Sequence, residues 1–225
     1  MAVTKARSNA VAKAAKGDLS VGSGTNASSI LAVGTDAQIL VADSTASTGL
    51  KWATASSGAM TLITAQSFTT SSNINVNNCF SATYQNYIVQ IIVSNTSAAS
   101  DAFMRLRASG TDASSNDYKW AAMYNHSVTA APAGAASNSA SAWSDYFIGF
   151  DSSGKVAMTA TIFRPNEATS TFITSQAVSS PLNTYMYNYA RSGVHSLTNA
   201  YDGFSLTVNS GTITGNLRVY GLANS

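Results

Sequence analysis

Two histidines, one cysteine and ten carboxylates are all that this 225-residue chain offers to acid–base, nucleophilic or metal chemistry. His126 follows Tyr124-Asn125 and His195 sits in a Gly-Val-His-Ser stretch, each alone in sequence. A catalytic histidine needs an orienting acid and a nucleophile beside it. No Gly-x-Ser-x-Gly elbow supplies one, and serine is so abundant that a spatial meeting would be fortuitous. Glycan cleavage calls for a carboxylate pair. Glu167 is the sole glutamate, Asp112 and Asp117 follow one strand-like run, and Asp145 and Asp151 bracket another. Capping of turn amides is the default work of such aspartates, so an enzyme acting on glycans, with Asp117 and Asp145 as its candidate acids, is the minor alternative. Cys79, between Asn78 and Phe80, can form no intrachain disulfide and cannot complete a zinc site with two histidines. It reads as a buried, inert thiol in a strand region. Residues 112–117 (DASSND) lack the spacing and glycine of a calcium loop, and Gly22, Gly24 and Gly34 lack the Gly-Lys-Ser/Thr of a phosphate loop. No catalytic, cofactor-binding or metal-binding residue is assigned.

Aromatic side chains hold more promise for binding than these groups do for catalysis. Tyr185, Tyr187 and Tyr189 alternate along TYMYNYAR and therefore share one face of a strand. Covered, they are core; exposed, they form a ledge able to stack on sugars or on a protein partner. Trp143 flanks a long stretch, residues 127–141 (SVTAAPAGAASNSAS), without an aromatic or a charge. That stretch reads as a loop, long enough to be a tip that faces a receptor or a neighbouring subunit, with Trp143 at its base. Tyr118, Trp120 and Tyr146 read as core.

Positioning such groups falls to a chain with 45 % hydrophobic but only 10 % charged residues, against about 25 % charged in an ordinary soluble protein. Ser, Thr, Asn and Gln must then keep the surface wet. A net charge of +2 is too small to imply nucleic-acid binding, but its distribution is uneven. Lys5, Arg7, Lys13 and Lys16 all precede the first acid, Asp18. No run approaches the roughly 20 apolar residues of a membrane span, and the first residues lack the apolar stretch of a secretory signal.

Three zones follow from composition. Residues 1–16 are an alanine-rich, basic arm of helix-forming composition, with Gly17 as a stop. At that length a lone helix is marginal, so the arm reads as an anchor that takes shape on an acidic partner surface. Residues 17–58 are a Gly/Ser/Thr-rich module of short β runs. It has too little apolar mass for its own core and should order only when copies pack together. Leu19, Val21, Ile30, Leu31, Val33, Ile39, Leu40, Val41 and Trp52 are the side chains such a shared interface would bury. Residues 59–225 are a series of strand signals: 87–93 (YIVQIIV, apolar enough to be covered on both faces), 103–107, 118–124, 145–150, 156–163, 171–178, 185–190, 204–208 and 217–222. Residues 109–116, 151–154, 192–193 and 209–211 read as the turns between them. Many strands without a convincing helix predict an all-β fold, an antiparallel, jelly-roll-like β-sandwich head behind an extended, β-rich trimerising module.

Residues 16–52, KGDLSVGSGTNASSILAVGTDAQILVADSTASTGLKW, also resemble a module found near the start of tailed-bacteriophage fibre and virion-surface proteins. Its pattern runs KGDL, VG, LAVG, Q-x-L, ADS, GLKW. Residues 84–94, 104–118, 147–150 and 215–221 are similar to the strand pattern of heads that follow such modules. The resemblance implies a structural protein of the virion, made in the host cytoplasm and exposed on the particle. In that role it is a short homotrimeric tail fibre that attaches by its N-terminus to other virion proteins and meets a host glycan or protein through its head. A capsid decoration protein or head fibre is the alternative, since nothing in the residues separates tail from head.

Overall fold

The computed structural model describes residues 15–55, 59–127, 132–143, 154–180 and 186–224. The chain divides into two compact units, Met1–Ser57 and Gly58–Ser225. All strand pairing is antiparallel, and the described residues contain no helix, hence none long and apolar enough to cross a membrane.

The first unit is two hairpins. Strand β1 (Leu19–Gly24) pairs with β2 (Ala27–Leu31), and β3 (Gln38–Ala42) with β4 (Leu50–Thr54). Asn26 turns the first at φ 58°, a left-handed conformation that Asn tolerates better than most residues. Asp43 shapes the second turn: its Oδ1 accepts from the Thr45 amide at 2.9 Å and hydroxyl at 2.7 Å, and its Oδ2 pairs with Lys51 at 2.9 Å. The anchoring arm assigned to residues 1–16 lies outside the described residues except for Lys16, which is exposed.

The second unit is a sandwich of an eight-stranded and a four-stranded sheet. Across the large sheet run β11 (Ala133–Ala140), β10 (Tyr118–His126), β14 (Tyr187–His195), β13 (Thr171–Ser180), β12 (Lys155–Phe163), β7 (Asn86–Thr96), β16 (Ile213–Leu222) and β5 (Met60–Ser71). The small sheet is β6 (Asn73–Val76), β15 (Gly203–Val208), β8 (Ala102–Ala108) and β9 (Thr111–Asp112). The chain crosses between sheets at β5–β6, β6–β7, β7–β8, β9–β10, β14–β15 and β15–β16, in the manner of a jelly-roll-like sandwich. Period-two alternation explains the layers. Tyr87, Val89, Ile91, Ile162, Leu217 and Val219 of the large sheet meet Ile74, Val76, Met104, Leu106, Phe204 and Leu206 of the small one in a single core.

Several expectations need correction. Residues 87–93 are not covered on both faces: Ile92 is 45 % exposed, and only the inner row is buried. The supposed long loop of residues 127–141 is mostly strand β11, which pairs with β10 through Ala133–Tyr124 and Ala136–Ala121. Small side chains look like a loop in sequence, yet backbone pairing needs no large side chain. The turn expected at residues 192–193 lies inside β14. Gly193 is there because a Cβ would come within 2.8 Å of the Trp143 indole. The run expected at 145–150 lies outside the described residues.

Candidate interaction surfaces

Residues 15–55, the described part of the first unit, are shaped by polar contacts and have no apolar core among themselves. Asp18 is the one buried residue between positions 15 and 55. Its Oδ2 accepts from the Ala15 amide at 2.8 Å and its Oδ1 from the Val33 amide at 3.0 Å, which ties the entry of β1 to the exit of β2. Gln38 Oε1 accepts from the Thr35 amide at 2.9 Å. Trp52 Nε1 donates to the Ala32 carbonyl at 2.7 Å. Its ring lies over Gly34, where a Cβ would stand 2.7 Å from the indole, so only glycine leaves room. Asp18 and Asp43 thus each brace one hairpin, Gln38 braces the turn between them, and Trp52, packed over Gly34, ties the second hairpin to the end of the first.

The apolar residues do not close over one another. Leu19, Val21, Ile30, Leu31, Val41 and Trp52 are half-buried. Val33, Ile39 and Leu40 are exposed by 50 %, 48 % and 40 %. Ile39 and Leu40 are consecutive in β3 and point to opposite faces, so both faces of the second hairpin are uncovered within one chain. Two-stranded hairpins are marginal by themselves in water.

The tyrosine ledge is corrected by the structure. Tyr189 is buried, Tyr187 is half-buried, and Tyr185 lies outside the described residues. Tyr189 packs against Tyr187 with centroids 5.7 Å apart and Tyr124 at 5.9 Å, and the Arg191 guanidinium sits 4.7 Å over its ring. Burial pushes the Tyr189 hydroxyl up to about 12. The alternation points these side chains inward toward the small sheet. Trp143, considered as a partner surface, is 1 % exposed. It is bridged to Met104 of β8 and stands edge-on to Tyr118 at 5.2 Å, so it is a core residue.

The remaining chemical groups are built into the framework. Asp112 accepts from Arg107 at Oδ1 and from the Ser205 hydroxyl at Oδ2, 3.0 Å away. Arg107 also donates from Nε to Asn77 Oδ1 at 2.9 Å, from Nη1 to Asn75 Oδ1 at 2.9 Å, and from Nη2 to the Gly110 carbonyl. The Asp117 carbonyl accepts from the Ser196 amide and hydroxyl. Asp145 and Asp151 lie outside the described residues. His195 is fully buried between Tyr118 and Tyr201, its Nδ1 3.3 Å from the Tyr201 hydroxyl. Burial lowers its pKa, against a weaker opposing pull from Asp117. His126 ends β10, and its side chain lies outside the described residues. Cys79 is buried just after β6, and burial pushes its thiol up to about 12. No cluster of three His, Cys, Asp or Glu side chains occurs among the described residues. Nothing in the sequence reading foresaw the Arg107 network; the alternation of Asn and apolar residues in residues 73–77 was its available signal.

Compared with family models, curated proteins and solved structures, the chain matches none.

Proposed function

We propose that this protein is a structural component of a tailed-phage virion, a short homotrimeric fibre attached to the particle by its N-terminal arm and meeting the host surface with its sandwich head. One observation carries the reading. Residues 15–55 have a defined backbone held by Asp18, Gln38, Asp43 and Trp52, yet bury no apolar side chain. A segment shaped but coreless is stable where identical copies share their apolar faces about a common axis, as three chains do in a stalk. The resemblance of residues 16–52 to fibre modules supports the same conclusion. In this reading Lys5, Arg7, Lys13 and Lys16 dock on an acidic surface of a neighbouring virion protein. Three heads held together then strengthen weak contacts with the host through avidity.

Sedimentation velocity on the full chain tests the proposal. A trimer is expected, and deletion of residues 1–16 should leave it trimeric while abolishing its incorporation into particles. A monomer at all concentrations, or normal incorporation without the arm, would overturn it.

A further inference from the structure

The outward face of the eight-stranded sheet is apolar at one end. Alternation turns Ile88, Tyr220 and Leu222 away from the core, because Tyr87, Val89 and Val219 are buried. Register sets Leu62 of β5 beside Tyr220, which lies beside Ile88, and sets Met60 beside Leu222. Met60 and Leu62 are exposed by 44 % and 51 %, while Ile88, Tyr220 and Leu222 are half-buried. The row of Met60 continues through Asn86 to Phe163 and then to the exposed Phe172. No charge enters either row before Lys119 on β10. The next row along the face is polar, with Arg218, Gln90, Thr159 and Gln176.

Strand β5 is also an edge, pairing with β16 alone among the described residues. Edge strands are usually blunted by charge or proline, and the 12 residues of β5 hold neither. Only its register shifts, one of them beside Leu62, interrupt the ladder. Contiguous exposed apolar side chains mark contact with another chain, and three facts point to a second copy of this one. The patch is uncharged, so identical copies meet there without like-charge repulsion, and a charged partner finds nothing to pair with. It begins at the first residue of β5, and only residues 55–59 separate that strand from β4. Chains joined through residues 17–58 therefore bring their copies of the patch within reach of one another, since each residue spans at most about 3.6 Å. Finally, five partly exposed side chains fall short of the roughly 800 Å² per partner of a self-standing interface. Such a contact suits chains that are already tethered.

We propose that Met60, Leu62, Tyr220, Leu222 and Ile88 form a second contact between copies, through which the heads of one assembly pack together at the start of β5. The inference rests on the homotrimer reading and extends it from the N-terminal module to the head.

Cross-linking of the full chain tests it. Cys79 is the sole cysteine and is buried, so Leu62→Cys adds a single accessible thiol. Met123→Cys is the control: Met123 is 66 % exposed on the same face, six strands from β5 and hence about 29 Å away. A short bismaleimide joins two thiols, so a covalent dimer on a denaturing gel is the expected product for Leu62→Cys, with Met123→Cys and the parent staying monomeric. Leu62→Asp should weaken assembly at least about 10-fold in a sedimentation dilution series, with the melting curve of the head unchanged. Equal cross-linking of the two cysteine variants, or Leu62→Asp assembling like the parent, would overturn the proposal. If the parent is then still a trimer, the fibre reading stands; a monomeric parent overturns both.

Discussion

Replacing Ile39 by Asp separates the stability of the single chain from that of the assembly. Ile39 keeps 48 % of its surface in one chain, and fully burying an aliphatic side chain of this size contributes about 1.5–3 kcal/mol. Completing its burial in a shared interface is then worth about 1 kcal/mol per chain, or about 3 kcal/mol over three chains. Asp forfeits that gain and brings three carboxylates into one interface, where each must stay solvated or take up a proton. Since about 1.4 kcal/mol is tenfold in an equilibrium constant, trimer formation should weaken by at least about 100-fold. The fold of one chain should hardly respond, because the side chain is already half in water. Sedimentation velocity or mass photometry over a dilution series reads the first effect, and circular dichroism melting of the head reads the second. Ile39 is a cleaner choice than Leu31, whose half-buried position also supports its own hairpin. A variant that stays trimeric over the dilution range where the parent begins to dissociate would refute the shared-core argument.

Three further outcomes follow from the head. Trp143→Ala should cost about 3–5 kcal/mol in urea unfolding, because the indole is fully enclosed and fills the space over Gly193; a loss below about 1 kcal/mol would show the site to be loosely packed. His195 is held neutral by burial, so the folded protein binds a proton less readily than the unfolded chain, whose imidazole titrates near 6.5. Its contribution is therefore fully present above that pH and declines as pH falls, at no more than about 1.4 kcal/mol per pH unit. A His195→Gln variant should show a shallower loss of stability than the parent on acidification, and parallel curves would contradict the assignment. The Cys79 thiol, buried and pushed up to about 12, should resist thiol reagents in native protein and react after denaturation. Rapid native labelling would show that the region after β6 opens.

Much of the head was legible in the sequence because buried strands write a strong signal. The runs at 118–124, 156–163, 171–178, 204–208 and 217–222 lie within β10, β12, β13, β15 and β16. Strand β5, Met60–Ser71, escaped notice although it carries Met60, Leu62, Ile63 and Phe68, and so did strands whose side chains carry little apolar mass. Strand β11 is Ala, Gly, Ser and Asn, and β6 is four residues long with two asparagines. The backbone of β11 is satisfied by the preceding strand β10 and that of β6 by β15, far away in sequence, and neither pairing needs a side-chain signal. Inward and outward were equally hidden: alternation puts Tyr187 and Tyr189 on one face without saying which side the second sheet covers.

Composition and patterning alone determined that this chain is all-β, that its surface relies on amides and hydroxyls instead of charge, and that residues 17–58 are too poor in apolar mass to bury a core. These are properties of residue type and period, which survive without knowledge of partners. The tertiary structure decided which tryptophan and tyrosines are enclosed and that Arg107 is surrounded by Asp112, Asn75 and Asn77. Such contacts join residues about 30 positions apart through strand register, and register is set by the pairing of whole strands, not by any one residue within them.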